Sequence, residues 1–275
     1  MAPIRLDGAT VAITGGARGI GLATAKAFAA KGSRVFIGDL DAELAVREAA
    51  KIGGRGFGVD VRWGASFAEF LNAVDRPLTV LVNNAGIMPA GAFVDEDDAI
   101  TDAILDINVT GVVIGTKLAL RGMLDRRAGH IVNVGSYLGK VPAAGLATYC
   151  ASKHAIVGFS EALRDELAGT GVTVTAVLPS AVRTELTAGV KLGGLLPTVD
   201  PEDVAAAVVS SCTHRRAIVA VPAWMRAYEL AAAATPDRLL GAIRGRLTRD
   251  RVLHTLDTTA RSGYDERVRG TAQEP

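Results

Sequence analysis

Tyr149 and Lys153 stand four residues apart in the run "AGLATYCASKHAIVGFSEALRDELA". A phenol titrates near about 10 and a lysine ammonium near about 10.4, so each alone keeps its proton at neutral pH. Around them Ala151, Ala155, Phe159, Ala162, Leu163 and Leu167 recur at three- and four-residue steps, and Gly169 and Gly171 end the pattern. This spacing predicts a helix. Residues i and i+4 share a helix face, which makes the ammonium a neighbour of the phenol. A cation so placed favours the phenolate and lowers the tyrosine pKa, giving a general acid/base usable near neutrality. The same pair could also be two exposed side chains on an ordinary amphipathic helix. Other residues must decide.

A second constellation lies near the N-terminus. "TGGARGIG", Thr14 to Gly21, carries Gly15, Gly19 and Gly21 around Arg18 and Ile20, and leads into the helical run "IGLATAKAFAAKG". Glycines allow a tight turn and a close approach of backbone N–H groups to a pyrophosphate at a helix N-terminus, where the dipole favours an anion. The next apolar run ends in Asp39. A carboxylate there can accept both adenine-ribose hydroxyls and repels a 2′-phosphate, which favours NAD over NADP. Arg18 points the other way, because a guanidinium near the ribose could welcome that phosphate. Asp41 would cap the following helix, "AELAVREAAK".

The elements that would hold these residues alternate. "TVAIT", "RVFIGD", "LTVLVNN", "GHIVNVGS", "VTVTAVLP" and "AIVAVP" read as strands, at Thr10–Thr14, Arg34–Asp39, Leu78–Asn84, Gly129–Ser136, Val172–Pro179 and Ala217–Pro222. Near-continuous apolar strands separated by helices predict a parallel sheet covered on both faces: a doubly wound, Rossmann-type α/β fold. Ligands in such sheets bind beyond the carboxyl ends of the strands, where Gly15, Asp39 and Ser136 stand.

The 275 residues suit one catalytic domain, expected over 1–222, with a helical extension over 223–275. A formal net charge of +1 gives no reason to expect nucleic acid. Two cysteines without metal-type spacing and four scattered histidines predict no metal site and fit a reducing cytoplasm. No apolar leader stands at the N-terminus, which with the cysteines gives a cytoplasmic expectation.

Read together, these motifs resemble the short-chain dehydrogenase/reductase family in its common single-domain form. The resemblance covers about Leu6 to Pro222. It rests on "TGGARGIG", Asp39, "DV" (Asp60, Val61), "NNAG" (Asn83 to Gly86), Asn108 in "DINVTG", "GS" (Gly135, Ser136), "YCASK" and "PSAVRT" (Pro179 to Thr184), all in the family's order. It implies that Tyr149 is the general acid/base, that Lys153 lowers its pKa and holds the nicotinamide ribose, and that Ser136 hydrogen-bonds the same substrate oxygen. It further implies that Asn108 positions a water for proton relay. On the cofactor side it places Asp60 and Val61 against the adenine, Asn83, Ala85 and Gly86 along its ribose, and Pro179 and Thr184 beside the nicotinamide. Pro179-Ser180 departs from the family's usual Pro-Gly. A homodimer or homotetramer built through helices flanking the sheet, including the one bearing Tyr149, is implied as well.

The substrate-facing segments are apolar. Residues 180–200 read as a lid, with Gly189, Gly193 and Gly194 as hinges and Leu186, Leu192, Leu195 and Leu196 as greasy surface. Tyr137, Leu138, Val141, Met88 and Phe93 add to it. They point to a lipophilic alcohol or ketone, although such residues could instead pack on one another or on a neighbouring subunit. Asp200 and Pro201 open another helix. Beyond Pro222, two helical stretches broken near Pro236 include a basic amphipathic one with Leu239, Leu240, Ile243 and Leu247 on one face and Arg238, Arg244, Arg246, Arg249 and Arg251 around it. It could touch an anionic membrane or pack on its own protein. Thr258 to Pro275 is polar and is expected to fray. A non-catalytic dinucleotide sensor would use the same fold but would have no need of Tyr149.

Overall fold

Alternate residues of the central strands face opposite layers of the protein, and both layers are apolar. Val11 and Ile13 pack with Ala25, Phe28, Val204 and Val208 on one side. Ala12, Leu81 and Ile131 pack with Phe67, Phe70 and Met123 on the other. A strand buried on both faces has no solvated side, which is why these runs lack polar alternation.

The computed structural model describes residues 2–190, 197–227 and 255–273. Its strands β1 (Thr10–Thr14), β2 (Arg34–Asp39), β3 (Arg55–Gly58), β4 (Val80–Asn83), β5 (Gly129–Val134) and β6 (Val172–Pro179) join a last strand, Ile218–Val221, in one sheet of order β3-β2-β1-β4-β5-β6-last. All pairings are parallel. A short parallel pair, β7 (Ala181–Val182) with β8 (Thr198–Val199), stands apart from it, so the last strand is β9. The helices are α1 (Gly19–Ala29), α2 (Ala42–Ala50), α3 (Gly64–Asn72), α4 (Asp98–Leu105), α5 (Gly111–Asp125), α6 (Ala147–Glu166), α7 (Pro201–His214) and a C-terminal helix, here α8 (Thr258–Gln273).

The expected strands all form, three of them shorter by one or two residues at an end or both. β3, "RGFG", was not expected, because it has no β-branched residue. Its place at the sheet edge is held by Phe57 stacked on Phe36 at 6.3 Å, with the Arg55 guanidinium over both rings. Gly56 is needed there: a Cβ would lie 2.3 Å from the Ala45 carbonyl of α2.

Asp41 caps α2 by accepting the Leu44 N–H, and Asp200 with Pro201 opens α7 through a capping box, both as the sequence predicts. Asp98–Asp125 is long and apolar enough to cross a membrane, but half of its most apolar window is buried within the fold.

Two expectations need correction. The stripe Ala151, Ala155, Phe159 and Ala162 lies on the outer side of α6, while Ser152, Lys153, Ile156, Val157 and Ser160 face inward. Beside a reactive site the inner face has to carry polar groups, so hydrophobicity alone misidentifies it. Thr258–Gln273 forms a helix instead of fraying. Asp257 caps it by accepting the Thr259 and Ala260 N–H groups, and Arg261 and Val268 are buried beneath it. The basic stretch 238–251, the break near Pro236 and Leu192 to Leu196 lie outside the described residues.

Candidate active site

A cavity of about 980 Å³ opens at the carboxyl ends of β1, β2, β4, β5 and β6. It stands at the upper end of the roughly 300–1,000 Å³ usual for ligand sites, enough for a long ligand and a second small one.

One half is built by the turn from β1 to α1. Gly15 and Gly19 take positive φ of 59° and 48°, a region costly for side chains. A Cβ on Gly15 would sit 2.8 Å from the Ala85 Cα, and one on Gly21 would sit 2.1 Å from the Gly15 carbonyl oxygen. Gly15, Arg18, Gly19 and Ile20 line the cavity; Gly21 does not, and its smallness serves packing beneath the turn. Asn84 fastens the turn by donating from Nδ2 to the Thr14 and Gly15 carbonyls.

Asp39, at the end of β2, borders the cavity. Its Oδ2 accepts the Ala17 N–H at 3.0 Å and its Oδ1 accepts the Asp41 N–H at 3.2 Å. Burial pushes its pKa up, against the pull of these bonds and of Arg18. Arg18 itself is paired with Asp41 at 2.7 Å. Asp60 and Val61 line the next stretch, together with Ala85 and Gly86. The Asp60 carboxylate is gripped by Arg62, whose other arm donates to the Thr271 carbonyl of α8.

Asn83 is a correction. It does not line the cavity: it is buried at the end of β4, and its Nδ2 donates to Thr116 Oγ1 and Asn133 Oδ1. In a parallel strand successive side chains alternate, so Asn84, not Asn83, faces the site. The adjacent pair "NN" concealed this.

The other half holds Ser136, Tyr149 and Lys153, all lining the cavity. Ser136 hydrogen-bonds Tyr149, which lowers the phenol pKa, but burial outweighs it and pushes the pKa well above 10. Lys153 Nζ lies 5.6 Å from the Tyr149 ring centroid and donates to the Val134 carbonyl. Burial brings its own pKa down to about 8. The expected lowering of Tyr149 by Lys153 is therefore not found in this state. Desolvation of the phenolate is the largest effect on Tyr149, and the Lys153 amine beside its ring does not offset it. Cys150 is buried, and burial raises its thiol pKa, as suits a packing residue.

Asn108 does not line the cavity. It lies fully buried in a single π-helical turn, Asp106–Thr110, between α4 and α5. Its Oδ1 accepts the Ile87 N–H, and its Nδ2 donates to the Ile87 carbonyl and to Ser152. A Cβ on Gly86 would lie 3.1 Å from that Oδ1 and 3.5 Å from Lys153 Nζ, so the two groups converge behind Gly86.

Pro179 and Thr184 border the same half, and Ser180 anchors its loop by donating to the Pro197 carbonyl at 2.6 Å. Met88, Tyr137, Leu138, Leu146 and Leu186 form the apolar wall. Phe93 is 67% exposed and Val141 packs with Tyr137 and Met225; neither lines the cavity.

The roof is α8, through Tyr264, Arg267, Val268, Gly270 and Thr271. The buried Arg261 donates to the Leu186, Ala188 and Met88 carbonyls and pairs with Asp265. This contribution was missed. The signals were Asp257 as a cap and Arg261, Tyr264 and Val268 at helix-face spacing.

A family model described as short chain dehydrogenase matches residues 9–193. The chain belongs to the short-chain dehydrogenase/reductase family. It is 44% identical over 186 residues to 2-(S)-hydroxypropyl-CoM dehydrogenase 3 of Xanthobacter autotrophicus, covering 65% of this chain and 73% of the relative. It is 36% identical over 236 residues to D-threitol dehydrogenase of Mycolicibacterium smegmatis, covering 78% and 90%. Among solved structures, a short-chain dehydrogenase/reductase from Burkholderia phymatum in complex with NAD superposes with a TM-score of 0.73 at 25% identity, over 82% of this chain and 92% of that one. As an oxidoreductase of this family, the protein uses a nicotinamide dinucleotide and a small-molecule substrate.

Proposed function

We propose that this protein is an NAD-dependent oxidoreductase acting on a lipophilic alcohol or ketone, with Tyr149 as general acid/base. The observation that carries this is one cavity with a carboxylate, Asp39, at one end and Tyr149, Ser136 and Lys153 at the other. A dinucleotide fits the residues present: the Gly15–Gly19 turn leaves a cradle that side chains would fill, and the N-terminus of α1 faces it.

When bound, the nicotinamide supplies the hydride acceptor or donor. In the oxidation direction Ser136 and Tyr149 would hold the substrate oxygen, and Tyr149, once discharged to its phenolate, would take the proton of the alcohol. Reduction runs the same steps backwards. Burial keeps Tyr149 protonated, the form that donates in reduction, while the raised pKa makes it the weaker acid. Lys153, near about 8 and converging with Asn108, can hand a proton onward. Asn108 holds the Ile87 backbone and so one wall of the cavity.

NAD over NADP is supported by Asp39 at the cavity and by Arg18, whose guanidinium is already engaged by Asp41. The outward apolar stripe of α6 supports a homo-oligomeric face there. Mixing the protein with NAD and a panel of lipophilic primary and secondary alcohols, with Tyr149→Phe as control, tests the proposal by cofactor absorbance. Turnover by the native protein alone supports it. Turnover retained in Tyr149→Phe assigns the proton to another group, and cofactor binding with no turnover on any alcohol or ketone leaves a sensor.

A further inference from the structure

Around Ser136, Tyr149 and Lys153 the cavity wall is mostly apolar, with Met88, Leu138, Leu146 and Leu186; Ser180, Thr184, Thr187 and the Glu185–Arg267 ion pair border it too, and α8 adds one phenol, Tyr264. Tyr264 is held with unusual care. Its Oη accepts the Met88 N–H at 2.7 Å, and the Arg261 guanidinium lies 4.6 Å from its ring centroid. The same guanidinium binds the Met88 carbonyl, so one residue of the β4 loop is tied at both backbone groups to α8. Tyr264 and Tyr149 are close enough for a charge on one to be felt at the other. Among the described residues Tyr264 has no partner for its own proton, and a buried hydroxyl proton without an acceptor is costly. Burial keeps this phenol protonated, with its pKa pushed up to about 12. A phenol donor lining the same cavity as Ser136 and Tyr149 is placed to recognise a second polar atom.

We propose that Tyr264 is a specificity-determining residue of the active site, donating a hydrogen bond to a second oxygen of the substrate, a carbonyl, ester or hydroxyl close to the carbon that is oxidised or reduced. This deepens the proposed function and rests on it. The substrate class narrows from any lipophilic ketone or alcohol to an oxygenated one: a dicarbonyl, a keto ester, a hydroxy ketone or a diol. Arg261 acts through Tyr264 as a positioning residue.

The test compares full-length native protein with Tyr264→Phe on two matched pairs of ketones, butanone with diacetyl and methyl butyl ketone with ethyl acetoacetate, using NADH. Native-to-variant ratios of kcat/KM cancel the different intrinsic reactivities within a pair. The ratio should be about tenfold or more for at least one oxygenated member and within about twofold for both simple ketones, with NADH affinity unchanged. Equal losses on both members of each pair would assign Tyr264 a structural role through Met88 and overturn the proposal, as would no loss at all. Titration of each ketone into the NADH complex, followed by cofactor fluorescence, judges Tyr264 without turnover. A protein that binds these ketones with the stated selectivity but never reduces them would count against the reaction and not against Tyr264.

Discussion

Replacing Asp39 with Ala removes the carboxylate that ends β2 and borders the cavity, leaving Asp41 and Asp60 in its lining. The effect has three parts. A 2′-phosphate about 4 Å from a carboxylate meets a repulsion of about 4 kcal/mol at an effective dielectric of about 20, and screening in an open cleft reduces this to about 2–3 kcal/mol. Relief of it should tighten NADPH binding by roughly 30- to 150-fold. Hydrogen bonds from ribose hydroxyls to a charged acceptor contribute about 1.5–3 kcal/mol, so NADH binding should weaken by at least about tenfold. The Ala17 and Asp41 N–H groups lose their acceptor, which costs about 1–2 kcal/mol of stability and a few degrees of Tm. Fluorescence titration with NADH and NADPH at low and high salt separates these parts, because only the repulsive one is strongly screened. The native preference for NADH should exceed about thirtyfold at low salt and shrink as salt rises. Native affinities within about threefold of each other would refute the reasoning. Asp41→Ala offers a second check: it frees Arg18, removes a neighbouring negative charge and should improve NADPH binding several-fold with the Asp39 carboxylate still in place.

Tyr149→Phe should lower kcat by at least about a hundredfold while leaving the NADH dissociation constant within about twofold, measured by stopped-flow and titration. Asn83→Ala should cost about 2 kcal/mol in urea denaturation, through the lost bonds to Thr116 and Asn133, with cofactor affinity unchanged. A changed affinity would restore Asn83 to the site. Buried His130, bonded to Thr173 and Ser211, has its pKa lowered by desolvation to about 3. The unfolded chain therefore binds the extra proton first as pH falls below about 6.5, so stability should drop by up to about 1.4 kcal/mol per pH unit between about 6.5 and 3. His130→Asn should flatten this slope in equilibrium unfolding. Lys153 has the same sign at higher pH: with its folded pKa near about 8, stability should rise between about 8 and 10.4, and Lys153→Met should remove that rise.

The sheet was legible because two buried faces leave an unmistakable record: strands such as "TVAIT" and "VTVTAVLP" are apolar without alternation, and helices separate them. Asp39, Ser136 and the glycine turn meet because parallel topology brings strand ends together, whatever their separation in sequence, and the i, i+4 spacing on α6 brings Tyr149 and Lys153 to the same cavity. The errors share a cause. Asn83 and Asn84 are neighbours of the same type, and only the phase of β4 decides which faces the cleft. On α6 the apolar stripe marks the outside, because the inside is reserved for Tyr149, Ser152 and Lys153.

The C-terminal helix was hidden for a different reason. Its docking relies little on apolar burial: Val268 is the one large aliphatic side chain buried beneath it, and the rest is hydrogen bonding from Arg261 to three backbone carbonyls, from the Met88 N–H to Tyr264, and from Arg62 to Thr271. Hydropathy cannot register contacts between side chains and a distant backbone. The same feature explains why this helix suits a roof. Hydrogen bonds to loop backbones have a defined geometry and little surplus apolar area, so the helix holds Met88, Leu186 and Asp60 in register over the cleft. Adding a charge where apolar contact does exist, as in Val268→Asp, should therefore release the roof as a unit. Both NADH dissociation and the KM for substrate should rise, while Tm changes by only a few degrees, because the sheet beneath does not depend on α8. A global collapse of stability instead would show that the helix belongs to the core of the fold.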